Sequence, residues 1–284
     1  MKRFAGKVAL VTGTSSGIGE AVVREFASEG AQVVLLGRRL GRLKRIGANI
    51  RRQGQRALVV RCDVTKKRDL ARAAARARRT FGRIDIVVAN AGFEVTGPLD
   101  VLTLDDYQRQ FDTNVFGVLR TIYATLEDLK RTRGQLVLIG SVLGHVALPG
   151  TSAYAMSKFA VTALAHALRY ELVPHGVLVT LISPGNVTTE IRQVDNHDIR
   201  HANLRDPIPN WLRVSPARAA RQIVDAVARR QRDVVLTAPA KLVIFVQQHA
   251  PGLTEAVIRI GHLHGRREPG AKAAARHPST RVAS

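Results

Sequence analysis

Seven short apolar runs recur through the first 236 residues and constrain the fold more than any other feature of the sequence. The apolar residues are mostly consecutive rather than alternating, which indicates strands buried on both faces. Stretches with helical spacing separate the runs, and this alternation favours parallel strands joined by right-handed crossovers. The runs are Val8–Val11, Val33–Leu36, Ala57–Val60, Ile84–Val88, Leu136–Ile139, Val177–Ile182 and Val234–Leu236. The sequence therefore predicts an α/β fold with a doubly wound, seven-stranded parallel sheet in a single domain.

The pattern weakens in three segments. Residues 186–214 carry Pro, Asn and His without a steady period, and a connection of this length suggests a functional lid or short helices. Residues 241–265 contain two short amphipathic pieces separated by Pro251-Gly252, which we interpret as an extension of the main domain, 1–240. Residues 266–284 are basic and Ala-rich, and we expect this tail to be disordered.

The chain is strongly basic, with 44 Lys plus Arg against 22 Asp plus Glu, and the imbalance raises the question of an anionic partner. Arginine is spread over many predicted helix faces, including Lys66–Arg83, and aromatic residues make up only 5% of the chain. This distribution favours solvated surfaces over a nucleic-acid site. Cys62 has no partner for a disulfide, and we find neither a signal peptide nor an apolar span of membrane length. We therefore expect a cytoplasmic protein that does not bind nucleic acid.

A glycine-rich segment joins the first predicted strand to the first predicted helix, Thr12-Gly13-Thr14-Ser15-Ser16-Gly17-Ile18-Gly19. A turn with so few side chains lets backbone N–H groups and a helix N-terminus approach a pyrophosphate, to which Ser15 and Ser16 can add hydroxyl donors. The glycine spacing differs from the usual G-x-G-x-x-G. Such a turn alone is a weak signal, but its position between strand and helix favours phosphate binding over a simple turn.

Further motifs follow in order along the chain. They are Asp63 after the third strand, Asn90-Ala91-Gly92 after the fourth, Asn114, Ser141 after the fifth, Tyr154-Ala-Met-Ser-Lys158, and Pro184-Gly185 with Thr188 after the sixth. Together with the glycine spacing they resemble the short-chain dehydrogenase/reductase family over about Gly6 to Ala238. The resemblance implies a Rossmann-type fold and an NAD(P)-dependent enzyme that interconverts a carbonyl and an alcohol.

The end of the second strand indicates which dinucleotide is preferred. A carboxylate there would accept hydrogen bonds from the adenosine ribose and would repel a 2′-phosphate. This chain has Gly37-Arg38-Arg39 instead, within a span from residue 30 to residue 62 that holds nine basic residues and no acid. Arg38 can form a fork with phosphate oxygens. We predict that NADP(H) is preferred over NAD(H), and solvated surface arginines are the alternative interpretation.

The resemblance implies several other cofactor contacts. Asp63 is expected near the adenine, Asn90 beside a ribose and the central strands, and Thr188 at the nicotinamide carboxamide, although Asp63 could also be only a local helix cap. The predicted cofactor-binding set is Gly13, Ser15, Ser16, Gly17, Ile18, Gly19, Arg38, Arg39, Asp63, Val64, Asn90, Ala91, Gly92, Tyr154, Lys158, Pro184, Gly185, Val187 and Thr188.

Tyr154 and Lys158 are four residues apart, which places them on one face of a helix. A phenol ordinarily has a pKa near 10, and a neighbouring ammonium favours the phenolate, so the pair can act as a general acid or base. Ser141 lies at the end of a strand, where its hydroxyl can donate to a substrate oxygen. Asn114 completes the predicted catalytic set, and the resemblance implies that it holds a water linking Lys158 to solvent.

Apolar residues surround the predicted catalytic set and predict a lipophilic carbonyl or alcohol as substrate. The apolar extension after the seventh strand resembles the steroid-, retinol- and lipid-type members of the family, which implies a substrate of that kind. The candidate pocket residues are Val95, Leu143, Leu148 and Trp211. The extension from Leu242 to Ile260 could pack over the active site or a subunit interface, which we favour, or could lie on an anionic membrane.

Three other expectations complete the sequence-based interpretation. The resemblance implies a homodimer or homotetramer formed through the helices that carry Asn114 and Tyr154. We predict no metal site, because His197 and His201 are four residues apart but no third ligand accompanies them. A non-catalytic NADP(H)-responsive binding or regulatory protein is the alternative function, which the complete set of Ser141, Tyr154 and Lys158 disfavours.

Overall fold

Each of the seven apolar runs forms a strand in the computed structural model, which describes residues 2–190 and 213–265. The strands are β1 (Val8–Val11), β2 (Gln32–Gly37), β3 (Ala57–Arg61), β4 (Ile86–Ala89), β5 (Gln135–Ile139), β6 (Leu178–Ser183) and β7 (Asp233–Val235). They form one parallel sheet in the order β3-β2-β1-β4-β5-β6-β7, with register pairs such as Leu10 with Val34 and Leu10 with Val87. The predicted doubly wound α/β sheet is confirmed, and the strand limits differ from the prediction by at most two residues.

Nine α-helices lie within the described ranges. They are α1 (Gly17–Ser28), α2 (Leu40–Arg52), α3 (Lys67–Phe81), α4 (Leu104–Phe111), α5 (Gly117–Thr132), α6 (Ser152–Leu172), α7 (Pro216–Ala228), α8 (Ala238–His249) and α9 (Pro251–Gly265). A π-helical turn, Asp112–Phe116, joins α4 to α5, and 3₁₀ turns follow β5 and α6. Among these helices, none is long and apolar enough to cross a bilayer.

The consecutive apolar residues of the strands divide between two cores because neighbouring side chains point to opposite faces of a sheet. Ala9 and Val11 face a core that contains Phe26 of α1 and Ile223 of α7, whereas Leu10 faces a second core with residues of α3, α5 and α6. Helices therefore cover both faces. The Arg-rich stretch identified in the sequence is α3, which buries Leu70, Ala73, Ala74 and Ala77 and turns its basic residues outward.

The strand order reverses between β1 and β4, because the chain moves outward from β1 to β3 and then returns to the other side of β1. In doubly wound sheets the crevice at this switch point, beyond the carboxyl ends of the strands, is where ligands bind. The glycine-rich turn after β1 and the Asn90-Ala91-Gly92 segment after β4 both lie there. The fold thus brings together motifs that are 77 residues apart along the chain, from Gly13 to Asn90.

Candidate active site

A cavity of about 740 Å³ lies beyond the carboxyl ends of the strands. Its lining runs from Gly37, Arg38 and Arg39 at one end, past the glycine-rich turn, to Tyr154 and Leu148 at the other. This volume falls within the usual range for small-molecule and cofactor sites, roughly 300–1,000 Å³. The cavity is an elongated cleft with basic residues at one end and apolar residues at the other.

The glycine-rich turn has a geometry that only glycine can adopt at its critical positions. Gly13 and Gly17 have φ values of +71° and +60°, in the left-handed region where a Cβ is strained. A Cβ on Gly19 would overlap the Gly13 carbonyl oxygen, and one on Gly13 would lie 2.7 Å from the Ala91 Cα atom. The backbone is therefore bare where α1 begins, as a phosphate site at a helix N-terminus requires.

The turn is braced by the loop that follows β4. The Asn90 side-chain amide donates to the Thr12 carbonyl oxygen at 2.8 Å, and the Thr12 hydroxyl accepts from the backbone N–H groups of Asn90 and Ala91, both at 3.0 Å. Thr12 is almost fully buried. Asn90 thus lines the cavity and also joins the ends of the two central strands, beside which the resemblance had placed it.

Arg39 connects the end of β2 to the glycine-rich turn. Its Nε donates to Ser15 Oγ at 3.0 Å and its Nη2 donates to Ser16 Oγ at 2.6 Å. Its Nη1 lies 3.1 Å from Oε2 of Glu190, a carboxylate that Arg42 also contacts at 2.8 Å. Arginine and hydroxyl donors therefore converge at the basic end of the cavity, where an anionic group can be held.

Asp63 lines the same part of the cavity but also has a local structural role. Its Oδ1 accepts hydrogen bonds from the backbone N–H and the hydroxyl of Thr65, at 3.0 and 2.9 Å. These bonds fix the turn between β3 and α3. Asp63 therefore stabilises a turn without capping α3, whose N-cap is Lys66, and it also lines the cavity.

Lys158 lies at the opposite end of the cleft and is 94% buried. Its Nζ donates to the Ile139 carbonyl oxygen at 2.9 Å and lies 5.6 Å from the centroid of the Tyr154 ring. Burial lowers the pKa of Lys158 to about 8, and the nearby Glu94 carboxylate opposes this shift. A desolvated amine with a lowered pKa beside a phenol is the kind of perturbed pair that marks functional sites.

Ser141 and Asn114 organise the backbone around this pair. Ser141 lines the cavity, and its Oγ accepts from the Leu143 N–H at 3.1 Å. Asn114 is buried in the π-helical turn, where its amide pairs with both the N–H and the carbonyl oxygen of Phe93, at 3.1 and 3.0 Å. Its Nδ2 also contacts Ser157 Oγ at 3.2 Å, and Ser157 donates to the Tyr154 carbonyl oxygen. Asn114 therefore links the cavity wall to the helix that carries Tyr154.

Most of the predicted site residues line this one cavity. They are Gly13, Ser15, Ser16, Gly17, Ile18, Gly19, Arg38, Arg39, Asp63, Val64, Asn90, Ala91, Gly92, Ser141, Leu143, Leu148, Tyr154, Lys158, Pro184, Gly185 and Val187.

The remaining predicted residues lie elsewhere. Val95 is fully buried, and its backbone N–H donates to Gln110, so its side chain is core rather than pocket because the preceding loop turns inward there. Thr188 lines a neighbouring cleft beside the glycine-rich turn. Asn114 acts from behind the cavity wall. Trp211, like His197 and His201 and most of 186–214, lies outside the described residues, as does the tail 266–284.

Sequence reasoning missed four cavity residues where the main domain ends and the extension begins, Thr237, Pro239, Ala240 and Val243. Thr237 caps α8 by accepting from the Ala240 N–H, and a Cβ on Gly185 would overlap its Oγ1. Gly185 therefore lets α8 approach the loop after β6. The Thr-x-x-Ala start of α8 and the Pro184-Gly185 pair were visible in the sequence, but their contact was not.

Comparisons with known proteins agree with this geometry. A family model described as short chain dehydrogenase matches residues 7–200. The farnesol dehydrogenase of Aedes aegypti is 39% identical over 201 residues, which cover 67% of this chain and 81% of that protein.

Solved structures give the same result. A short chain dehydrogenase/reductase from Burkholderia phymatum, in complex with NAD, has a TM-score of 0.79 at 25% identity and covers 89% of this chain and 96% of its own. A short chain dehydrogenase from Burkholderia cenocepacia, in complex with NADP, has a TM-score of 0.76 at 26% identity, with coverages of 91% and 99%. The chain therefore belongs to the short-chain dehydrogenase/reductase family, and it is an oxidoreductase.

Proposed function

We propose that the protein is an NADP(H)-dependent oxidoreductase that interconverts a carbonyl and a primary or secondary alcohol on a lipophilic substrate. One observation carries the proposal more than any other. The buried amine of Lys158 lies beside Tyr154, and both line a cavity that also contains Ser141. A non-catalytic binding protein has no need to bury a cation next to a phenol, because burial of a charge costs free energy.

The cavity residues fit a dinucleotide. The glycine-rich turn leaves bare backbone where a Cβ would collide with Gly13 or Ala91, and this is the cradle that a pyrophosphate needs. Arg38 and Arg39 supply cationic donors at the end of β2, where a carboxylate would instead favour NAD(H). Asp63 lies at the adenine end and Lys158 at the nicotinamide end. This charge distribution supports a preference for NADP(H).

The chain's own residues account for the proton chemistry. When bound, the nicotinamide supplies or accepts the hydride at the substrate carbon. In the direction of reduction, the Ser141 hydroxyl donates a hydrogen bond to the carbonyl oxygen, and the Tyr154 phenol transfers its proton to that oxygen. The Lys158 ammonium stabilises the phenolate that remains. Oxidation follows the same steps in reverse.

The catalytic end of the cavity supports a lipophilic substrate. Phe93, Val142, Leu143, Val146 and Leu148 line it on one side, and α8 adds Pro239 and Val243 on another. Glu94 is an acidic residue among them. An apolar body with one polar group suits such a lining, because shape and a few polar contacts determine specificity. The similarity to a farnesol dehydrogenase is consistent with this class.

The test is turnover against a panel of long-chain, steroid-like and retinoid-like alcohols and carbonyls, with NADP(H) and NAD(H) in parallel. We expect turnover of at least one lipophilic compound and a lower Kd for NADPH than for NADH. Arg38→Asp should shift the preference toward NADH. Equal or tighter NADH binding by the unchanged protein would refute the cofactor preference, and turnover confined to small polar compounds would refute the substrate class.

We propose that the protein is cytoplasmic. Two exposed apolar surfaces support two further proposals, an oligomer interface and a peripheral membrane contact. Phe116, Tyr123, Met156 and Phe159 are exposed on α5, α6 and the adjoining π-helical turn. Because large exposed apolar patches mark interaction sites, we propose that these helices form the dimer or tetramer interface. Light scattering of the native protein and of Tyr123→Glu tests this, since a monomer in both cases would contradict it.

The extension presents the second surface. Leu242, Phe245, Leu253, Val257 and Ile260 are each more than half exposed along α8 and α9. Although α8 contributes residues to the cavity, its outward face is apolar, which favours peripheral contact with an anionic membrane. Flotation with anionic and neutral vesicles at low salt tests the contact. Association with neither vesicle would exclude it.

A further inference from the structure

Glu190 reaches across the cleft to two arginines from a different part of the fold. It lies in the loop after β6, whereas Arg39 and Arg42 lie at the junction of β2 and α2, about 150 residues earlier. Arg42 Nη1 is 3.0 Å from Oε1 and 2.8 Å from Oε2, and Arg39 Nη1 is 3.1 Å from Oε2. Guanidinium groups bind carboxylate and phosphate oxygens in closely similar ways. Arg39 and Arg42 thus form an anion site that Glu190 occupies.

This anion site is continuous with the glycine-rich turn. Through its other nitrogens, Arg39 donates to the hydroxyls of Ser15 and Ser16. The neighbour of Glu190, Thr189, places its Cγ2 only 3.2 Å from where a Cβ on Gly17 would lie. Glu190 itself lines the cavity together with the glycine-rich turn, at the end of the cavity where β2 ends.

The local sequence supplies no anion of its own. Residues 30–62 contain no Asp or Glu, and Arg39 and Arg42 occupy the N-cap and first turn of α2, where the helix dipole adds further positive potential. Two guanidinium groups at a helix N-terminus repel each other unless an anion lies between them. Glu190 supplies that anion when no other ligand does.

We propose that Glu190 is an internal competitor for the 2′-phosphate of NADP(H). The inference rests on the proposed cofactor preference and deepens it by naming Arg42 as a phosphate ligand and Glu190 as the residue that limits affinity. A 2′-phosphate must displace the carboxylate from Arg39 and Arg42 before it can bind them. NAD(H) lacks this phosphate, so its binding leaves the ion pairs of Glu190 with Arg39 and Arg42 intact. Glu190 therefore reduces the difference in affinity between NADP(H) and NAD(H).

The test uses two nucleotides that differ only in the 2′-phosphate, adenosine 2′,5′-bisphosphate and 5′-AMP. Each is titrated calorimetrically into the full chain at low ionic strength. We expect Glu190→Gln to bind the bisphosphate about 3- to 10-fold more tightly, a modest gain because the pairs are partly exposed. Its affinity for 5′-AMP should change less than about 2-fold, within the small effect expected of an exposed pair.

Two further variants control this measurement. Glu20→Gln removes an acid from the neighbouring cleft beside the glycine-rich turn, which Arg42 and Glu190 also line. Glu20 pairs with Arg24 and not with Arg39 or Arg42, so the affinity for neither nucleotide should change. Arg42→Ala added to Glu190→Gln should abolish the gain for the bisphosphate, because Arg42 is then no longer available to the phosphate. Thermal melts of all variants confirm that the fold is retained.

The outcomes separate the inference from the cofactor preference. If the unchanged protein binds the bisphosphate more tightly than 5′-AMP and Glu190→Gln does not increase the affinity for the bisphosphate, the competitor role is wrong and the preference for NADP(H) stands. If the unchanged protein fails to discriminate but Glu190→Gln does, the competitor role is supported and the preference of the native enzyme is wrong. Weaker binding of the bisphosphate by Glu190→Gln would overturn the inference outright.

Discussion

The two ends of the cavity use positive charge in opposite ways. At the end of β2, Arg39 is 43% exposed at its side chain and contacts Glu190 and the hydroxyls of Ser15 and Ser16. At the catalytic end, Lys158 is 6% exposed, and burial lowers its pKa to about 8. The exposed guanidinium of Arg39 can hold an anionic group. The buried amine of Lys158 has a lowered pKa and can take part in proton transfer. One cavity therefore separates the binding of a cofactor from the movement of a proton.

The largest expected effect is that of Tyr154→Phe at the catalytic end. Removal of the phenol hydroxyl eliminates the proposed proton donor, and we expect turnover to fall by about 10²- to 10⁴-fold. NADPH affinity should change far less than turnover, because the variant keeps the aromatic ring at the nicotinamide end and leaves the arginine end of the cavity untouched. Steady-state turnover and a fluorescence titration of NADPH measure the two quantities separately.

The control for this variant is Tyr107→Phe. Tyr107 also makes a short hydrogen bond, to Ser152 Oγ at 2.6 Å, but it does not line the described cavity. Near-normal turnover by Tyr154→Phe, or an equal loss in Tyr107→Phe, would contradict the assignment of Tyr154 as the acid.

The next effect concerns the stability cost of burying Lys158. In the unfolded chain the amine has a pKa near 10.5, and in the fold it has a pKa of about 8. This difference in pKa lowers the free energy of unfolding by about 3 kcal/mol at neutral pH. Between pH 8 and 10.5 the unfolded state binds more protons, so this residue makes the free energy of unfolding rise with pH. Below pH 8 the full cost is present.

Lys158→Met removes this cost, but it also loses the hydrogen bond to the Ile139 carbonyl oxygen, which stabilises the fold by about 1 kcal/mol. We expect the variant to be inactive but more stable than the native protein at pH 7, with an advantage that shrinks toward pH 10. Denaturant unfolding at both pH values, without cofactor, gives the difference. A stability difference that stays constant with pH would show that Lys158 is not desolvated as the structure indicates.

The sequence predicted the sheet because each strand depends on local apolar runs that are buried whatever the neighbours do. It also predicted most cavity residues, since motifs at the carboxyl ends of parallel strands must meet at one edge. It did not predict Glu190 or Val243 at the site, because their positions depend on how distant loops and α8 pack. Val95 was expected in the pocket, but its side chain is fully buried and does not line the described cavity, which again depends on how the loop after β4 packs.

The smallest expected effect is that of ionic strength on the two ends. At 0.1 M salt, interactions between exposed charges more than about 10 Å apart are largely screened, and buried charges are screened much less. We expect the Kd of NADPH to rise about 3- to 10-fold between 0.05 and 0.5 M salt. The Kd of NADH should rise less, because NADH brings no 2′-phosphate to Arg39 and Arg42.

Turnover at saturating cofactor should change little over the same range, because Lys158 is shielded from the solvent ions that screen the arginines. The measurement is a salt series of both Kd values and of kcat, with the counter-ion varied as a check against specific ion binding. A kcat that falls with salt as steeply as NADPH affinity would mean that the catalytic end is wetter than its buried lysine indicates. That result would contradict the proposed separation of cofactor binding at the arginine end from proton transfer at the Lys158 end.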